Sequence, residues 1–160
     1  SSCGVCGKSS IEAVKSNCLT RVSSTVKASA STILQLAEQL NDSQRVFNLT
    51  GGIHASALFN SQGKILMIKE DVGRHNALDK IIGASGLDNN LPLHQNILLL
   101  SGRISFELVQ KSAVAGIPII AAFGAPSSLA IELAEEINIS LVGFLKKDKF
   151  NVYSGKDRIQ

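Results

Sequence analysis

The sequence predicts an α/β fold, namely a three-layer α/β/α sandwich around a mixed, mostly parallel sheet. Short apolar runs alternate along the chain with segments of helical periodicity, which is typical of strands joined by crossover helices. Three of these runs, at residues 96–100, 119–123 and 140–144, are apolar almost throughout, as expected for strands covered by helices on both faces. The length of 160 residues, with 44% apolar and 18% charged residues, is enough for one packed domain.

Five strands are predicted from the apolar runs and the turns between them. The first two flank a turn that contains Gly63 and form a β-hairpin, which adds an antiparallel edge to the sheet. The other three are the continuous apolar runs, and a short edge strand follows at Val152 and Tyr153. In order, the predicted strands cover residues 53–59, 64–69, 96–100, 119–123 and 140–144.

Helices are predicted where apolar residues recur at intervals of three and four. Ser9 and Glu12 form a capping box that predicts a short first helix. A second helix covers residues 29–40 and ends at Asn41 and Asp42. Three more helices are predicted. One opens at Gly73, one covers residues 105–115, and one starts with Pro126, whose fixed φ suits a first turn. We assign residues 1–28 to a thiol-bearing loop and short helix, a linker from a preceding segment, and residues 29–160 to one α/β domain.

Composition and charge exclude several classes of protein. A net charge of +3 and a pI near 8.8 are too mild to indicate nucleic-acid binding. No apolar run reaches the ~18 residues that a membrane-spanning helix needs, so no membrane association is predicted. Three cysteines are an odd and small number, and the polar N-terminus does not resemble a signal peptide, so the reducing cytoplasm is the expected location.

Cys3 and Cys6 form a Cys-x-x-Cys pair that can bind zinc, form a redox disulfide or shuttle sulfur. A structural zinc site needs about four ligands, and only Cys18 and three histidines remain, none of which forms a second close pair. No strand precedes the pair, which disfavours a thioredoxin-like site. The flanking Gly4 and Gly7 favour an exposed, mobile loop, so the pair is the candidate reactive centre.

Polar residues and glycines crowd the ends of the predicted strands, where ligands bind in sheets of this kind. Glycine lets a ligand approach the backbone, and arginine and histidine suit a phosphate or a polar heterocycle near free helix amides. Each group also has a purely structural interpretation as a tight turn, a salt-bridge network or a helix cap. The candidates are Thr50, Gly51, Gly52, His54, Asp71, Gly73, Arg74, His75, Asn76, Ser101, Gly102, Arg103, Ser105, Ala125, Pro126 and Ser127.

Positive charge gathers near the C-terminus, at Lys146, Lys147, Lys149, Lys156 and Arg158. Such a cluster is either a solvated tail or a site for a phosphate-bearing ligand, and charge alone does not decide between them.

These segments together resemble the formate dehydrogenase accessory sulfurtransferase family, the FdhD proteins. The run Glu-Asp-Val-Gly-Arg-His-Asn-Ala-Leu-Asp-Lys at residues 70–80 is long enough to be highly specific. The other matching motifs are Ser-Ser-Cys-Gly-Val-Cys-Gly at 1–7, Thr-Gly-Gly-Ile-His-Ala at 50–55, Ser-Gly-Arg at 101–103, Ala-Gly-Ile-Pro at 115–118 and Ala-Pro-Ser at 125–127. The resemblance covers essentially the whole chain.

The resemblance implies a cytidine deaminase-like fold and a sulfurtransferase that carries sulfur as a persulfide on Cys3 and Cys6. The sulfur would come from a cysteine desulfurase and pass to the molybdenum of a bis-molybdopterin guanine dinucleotide cofactor, for delivery to formate dehydrogenase. A homodimer is also implied, with a guanine nucleotide as a mimic of the cofactor, and no bound zinc is expected. The implied cofactor-binding stretch is Phe144, Leu145, Lys146, Lys147, Asp148 and Lys149.

The sequence departs from related patterns in three ways. The residues after His54 lack the glutamate of zinc deaminases, and no Pro-Cys-x-x-Cys follows, so deamination is not expected. Lys146 and Lys149 stand where arginine is expected, which keeps the charge but loses the bidentate fork. Relatives carry an N-terminal segment before the thiol pair. The alternative functions are a cofactor-binding chaperone that moves no sulfur, and a zinc-bound module.

Overall fold

The computed structural model describes residues 21–43 and 51–160, without the side chains of residues 41–43. The predicted helix after Ser9 and the thiol pair lie outside these ranges. The described residues form four α-helices: α1 Ala30–Ser43, α2 Arg74–Leu87, α3 Phe106–Val114 and α4 Ser128–Glu136. They also form six strands: β1 His54–Asn60, β2 Ile65–Asp71, β3 Asn96–Leu100, β4 Ile119–Ala122, β5 Ser140–Gly143 and β6 Asn151–Ser154, followed by a 3-10 turn at Lys156–Arg158.

The six strands form one mixed sheet in the order β2-β1-β3-β4-β5-β6. Its centre is parallel, because β3 pairs with β4 and β4 with β5 in the same direction. Its margins are antiparallel: the β1–β2 hairpin joins β3 on one side, and β6 joins β5 on the other. The predicted hairpin and the edge strand at Val152 and Tyr153 are therefore both present.

The sheet separates two hydrophobic cores. On one face, Ile33, Leu36 and Leu40 of α1 are fully buried against strand residues such as Phe59 and Leu99. Their spacing of three and four residues places them on one side of the helix, as the sequence predicts.

The opposite face of the sheet is covered by α2, α3 and α4. Leu78, Leu108 and Leu133 represent these three helices in a core that also contains Leu98 and Leu100. Because successive residues of a strand point to opposite faces, Leu98 and Leu99 enter different cores. The three-layer α/β/α arrangement predicted from the sequence is thus confirmed.

The segment before α1 packs on the same domain. The Val22 amide donates to the carbonyl of Ile137 at 2.8 Å, and the Ala28 amide donates to the carbonyl of Arg158 at 2.9 Å. Val22, Val26 and Ala28 are all buried. Residues 21–28, which we placed with the thiol-bearing loop, contribute to the core of the α/β domain.

Several helix and strand ends differ from the prediction, among them those of α1, α4 and β5. Helix α1 continues to Ser43 instead of ending at Asn41 and Asp42. The N-cap of α4 is Ser127, so Pro126 precedes the helix rather than opening it. Strand β5 stops at Gly143, because Phe144 adopts a left-handed backbone with φ of 52° and leaves the sheet.

In the described parts of the chain, no helix combines the length and apolarity needed to cross a lipid bilayer.

Candidate functional site

One edge of the sheet collects most of the candidate residues. Strand β2 ends there at Asp71, opposite His54 at the start of β1, and the parallel strands β3, β4 and β5 end there as well. We call this edge the rim and define it by residues 51–54, 71–76, 101–105, 124–127 and 143–146. The predicted convergence of strand ends is therefore the arrangement that the topology produces.

The loops of the rim are joined to one another by backbone hydrogen bonds. The Gly124 amide donates to the carbonyl of Gly102 at 3.2 Å, and the Phe144 amide donates to the carbonyl of Gly124 at 3.2 Å. A Cβ on Gly124 would lie 2.8 Å from the backbone N and Cα of Arg103. Only glycine therefore allows the loops after β3 and β4 to approach this closely.

His54 faces the loop that follows β3. Its Nδ1 lies 3.4 Å from Oγ of Ser101, and that hydroxyl accepts a hydrogen bond from the Ala55 amide at 2.9 Å. A Cβ on Gly102 would lie 3.3 Å from Nδ1 and Cε1 of His54 and 3.7 Å from Cδ of Arg74. The imidazole of His54 and the side chain of Arg74 therefore both lie close to Gly102.

Arg74 and His75, the first two residues of α2, each bury a polar atom that has no hydrogen-bond partner. These atoms are Nε of Arg74 and Nδ1 of His75. Leaving a buried polar group unpaired costs about 1–3 kcal/mol, more when the group is charged. Such groups concentrate where a ligand or an ordered water completes the hydrogen bonding.

The surroundings of His75 favour its neutral form. Burial lowers the pKa of its imidazole below the ordinary value of 6.5, and the positive charge of Arg74 lowers it further. Burial alone would raise the pKa of Glu107, but the nearby Ser105 side chain and the Glu107 amide, together with nearby positive charge, bring that pKa below its ordinary value. The first turns of α2 and α3 therefore present a cation, a neutral imidazole and a carboxylate to one another.

Two of the three helices that begin at the rim lack side-chain caps. Gly73 and Ser105 occupy the N-cap positions of α2 and α3, and neither supplies a side-chain hydrogen bond to its helix. Ser127 does cap α4, because its Oγ accepts from the Ala130 amide at 3.2 Å. The structural interpretation of the hydroxyls thus holds for Ser127, while the helix amides after Gly73 and Ser105 remain suited to an anion.

Asp71 is the centre of an internal network. Its Oδ1 accepts from the Gly73 amide at 2.9 Å and from Nδ2 of Asn76 at 3.1 Å, and its Oδ2 lies 2.6 Å from Nζ of Lys80. Lys80 also donates to the carbonyl of Glu70 at 2.9 Å. Hydrogen bonding to Lys80 and to the Gly73 amide lowers the pKa of Asp71 to about 2. Here the salt-bridge network that we weighed as an alternative is present.

The C-terminal candidate stretch divides into buried and exposed residues. Phe144 is 43% exposed beside the ends of β4 and β5, whereas Leu145 is 2% exposed and its side chain packs in the core with α1. The next four residues, Lys146, Lys147, Asp148 and Lys149, are all exposed.

The predicted basic cluster is not continuous. Lys156 is exposed, but Arg158 is only 5% exposed and Nη1 of its guanidinium donates to Oδ1 of Asn138 at 3.3 Å. Including Arg158 in a surface cluster was wrong, because the final turn folds back onto the loop between α4 and β5.

The remaining candidates fall into three groups. Cys3, Cys6 and Thr50 lie outside the described residues. Gly51 and Gly52 are exposed, and Gly51 has a φ of 65° that favours glycine. Arg103 is exposed on the rim, where Ala125 and Pro126 are half-buried.

Two residues important for the rim were not among the candidates. Gly124 follows β4 after one residue, as Gly102 follows β3 after one residue, and that parallel is a signal in the sequence. Lys80 lies within the motif at 70–80, but its pairing with Asp71 depends on the helix that brings the two together.

A separate cavity of about 360 Å³ lies between α2 and α3. It is lined by Asp79, Ile82, Gln110, Lys111 and Val114. Its two charged groups are paired with each other, since Nζ of Lys111 lies 2.6 Å from Oδ2 of Asp79. None of the candidate residues lines this cavity. Across residues 21–43 and 51–160, no group of three or more His, Cys, Asp or Glu side chains is arranged to hold a metal ion.

Comparison with known proteins gives matches along the whole chain. The profile of the FdhD/NarQ family matches residues 1–160. The chain is 51% identical over 160 residues to the sulfur carrier protein FdhD of Mycolicibacterium paratuberculosis, covering 99% of this chain and 59% of that protein. It is 49% identical over 161 residues to the sulfur carrier protein FdhD of Streptomyces coelicolor, covering 99% of this chain and 57% of that protein. The chain thus spans less than two thirds of the length of these curated relatives.

A solved structure is also similar. It is the crystal structure of a protein from Desulfotalea psychrophila, provisionally described as a formate dehydrogenase accessory protein. The two structures superimpose with a TM-score of 0.79 at 30% sequence identity, over 88% of this chain and 60% of the other.

Proposed function

Since this chain belongs to the FdhD/NarQ family, we propose that it is a sulfurtransferase that carries sulfur for the maturation of formate dehydrogenase. Its donor is a cysteine desulfurase. Its client is a bis-molybdopterin guanine dinucleotide cofactor, whose molybdenum receives the sulfur. The names of the curated relatives, which are sulfur carrier proteins, support the sulfur-carrying part of this proposal. The reducing cytoplasm suits the free thiols, and a homodimer is part of the same proposal.

Binding of the cofactor at the rim is supported by one observation above all: buried polar atoms there lack hydrogen-bond partners. Nε of Arg74 and Nδ1 of His75 are buried without partners, beside helix N-termini at Gly73 and Ser105 that have no side-chain caps. Cationic and amide donors of this kind bind phosphate oxygens. A dinucleotide supplies several such oxygens at once, and the His54 ring and the Arg74 side chain both lie close to Gly102 at this edge of the sheet.

We assign the parts of the client to different parts of the rim. Phe144 offers an exposed ring on which the guanine base can stack, and the lysines that follow it attract the phosphates. Leu145 acts through its backbone, because its side chain is in the core. The other residues proposed to surround the client are Thr50, Gly51, Gly52, His54, Gly73, Arg74, His75, Asn76, Ser101, Gly102, Arg103, Ser105, Ala125, Pro126, Ser127, Lys146, Lys147, Asp148 and Lys149.

Sulfur moves by thiol–persulfide exchange in this proposal. The thiolate of Cys3 attacks the terminal sulfur of the desulfurase persulfide, the donor's S–S bond breaks, and the donor cysteine leaves as a thiolate. The thiolate of Cys6 then attacks the sulfur atom of Cys3, which forms a disulfide and releases the terminal sulfur as sulfide to the client. The thiol pair supplies the two electrons for this release, and a dithiol reductant restores the pair.

The competing function is a chaperone that binds the cofactor and moves no sulfur. The two are separated by formate dehydrogenase activity in cells whose own protein is replaced by the Cys3→Ala, Cys6→Ala variant. Sulfur transfer predicts that activity is lost although the purified variant binds GDP, a guanine-nucleotide probe, as tightly as the wild type. Cys18→Ala is the matched control and is expected to retain activity. Full activity of the double variant would establish the chaperone instead.

A further inference from the structure

We propose that Asp71 does not contact the client but positions Arg74 to receive one of its phosphates. This inference rests on the proposed binding of a nucleotide-bearing client at the rim. Asp71 then acts through Arg74, whereas its place in the motif at 70–80 suggests direct contact with the client.

The carboxylate of Asp71 is occupied by three donors from its own neighbourhood. Oδ1 accepts from the Gly73 amide at 2.9 Å and from Nδ2 of Asn76 at 3.1 Å, while Oδ2 pairs with Nζ of Lys80 at 2.6 Å. Its side chain is only 20% exposed. A carboxylate with both oxygens bound internally has little capacity left for a ligand.

These contacts fix the path of the chain from β2 into α2. Asp71 is the last residue of β2, Gly73 is the N-cap of α2, and Arg74 is the first helical residue. The Asp71–Gly73 hydrogen bond closes a turn of the Asx type across this junction. The bonds to Asn76 and Lys80 tie the same carboxylate to the first and second turns of the helix. Together they set the direction in which Arg74 leaves the backbone.

Arg74 is the residue whose direction matters. Its Cδ lies 3.7 Å from the position of a Cβ on Gly102, so its side chain reaches the loop after β3, where the His54 ring also lies close to Gly102. Its Nε is buried and has no hydrogen-bond partner, although a charged donor in that position has a high cost when left unpaired. An arginine whose side chain is held in place and whose Nε lacks a partner is suited to donate a hydrogen bond to a phosphate oxygen.

A thermodynamic cycle tests whether Asp71 acts through Arg74. Affinities of the full-length protein for GDP, for guanosine and for inosine diphosphate are measured by titration calorimetry for the wild type, Asp71→Ala, Arg74→Ala and the double variant. Positioning predicts that Asp71→Ala weakens GDP binding by about tenfold. It also predicts little effect on guanosine, which lacks phosphates, and an unchanged preference for GDP over inosine diphosphate. In the Arg74→Ala background, the Asp71→Ala change adds no further loss.

Two further variants keep the test decisive. Asp88→Ala makes the same change at the exposed C-cap of α2 and is expected to bind GDP as the wild type does. If Asp71→Ala does not fold, Asp71→Asn takes its place, since it keeps the Oδ1 acceptor for Gly73 and loses only the charge that pairs with Lys80.

The possible outcomes are distinct. If Asp71→Ala weakens GDP binding as much in the Arg74→Ala background as in the wild type, or changes the preference between the two bases, Asp71 touches the client. Either result would overturn this inference but not the proposed binding of the client at the rim. Unchanged GDP affinity in both Asp71 variants would overturn it as well. Absence of GDP binding by the wild-type protein would overturn both the inference and the proposed binding of the client at the rim.

Discussion

The close approach of the loops at Gly124 allows the rim to be tested by a single methyl group. In Gly124→Ala, the added Cβ would lie 2.8 Å from the backbone N and Cα of Arg103 and from the carbonyl oxygen of Gly102. These are backbone atoms, which cannot rotate away as the end of a side chain can. Introducing a group into a filled space costs about 1–3 kcal/mol. For a chain of this length, that lowers the melting temperature by about 3–10 °C.

Gly83→Ala is the matched control, with an effect of the opposite sign. Gly83 lies within α2, and a Cβ there would meet nothing within 4 Å. Replacing a glycine inside a helix by alanine stabilises by about 0.5–1 kcal/mol. Urea denaturation of both variants gives the free energies of unfolding, and GDP titration reports the rim. A Gly124→Ala variant as stable as the wild type, or one with unchanged GDP affinity, would show that the rim does not depend on this close approach of the two loops.

Two other predictions concern the rim directly. Phe144→Gly relieves the left-handed backbone of a non-glycine residue, so stability is expected to change by less than about 1 kcal/mol. GDP affinity is expected to fall about tenfold because base stacking is lost, and an unchanged affinity by calorimetry would count against the stacking role. The pKa of His75 is lower in the folded protein than its ordinary value of 6.5, so the unfolded chain takes up a proton at this residue more readily. The contribution of His75 to the free energy of unfolding is therefore lost as the pH falls below 6.5. His75→Gln is therefore expected to show a weaker fall in unfolding free energy between about pH 7 and 5, and an identical pH profile would contradict the burial of a neutral imidazole.

Much of the fold follows from patterns within single segments. Strand β3 occupies the predicted residues 96–100 because this apolar run is too short for a helix and suits a strand that is buried on both faces. The opening of α2 at Gly73 follows from glycine between a strand and an apolar helical pattern. The convergence of His54 and Ser101 follows from topology, since an antiparallel hairpin starts at the edge where the parallel strands end.

The errors arise where distant contacts decide the local structure. Phe144 is a residue that favours strands, yet it turns out of β5, and its amide bonds to the carbonyl of Gly124 instead. Arg158 looks like part of a solvated basic tail, yet the last turn buries it beside Asn138. The partners of Asp71 were not predictable either, because they depend on side-chain directions in α2 rather than on the spacing of residues.

The central claim, that the chain carries sulfur on its thiol pair, is tested most directly by intact-protein mass spectrometry. Full-length protein is incubated with a cysteine desulfurase and cysteine, then analysed before and after treatment with a thiol reductant. We expect the mass of one additional sulfur atom, located on the peptide that contains Cys3 and Cys6, removed by the reductant, and absent from the Cys3→Ala, Cys6→Ala variant. The same gain of sulfur by the double variant, or no gain by the wild type, would contradict the proposal.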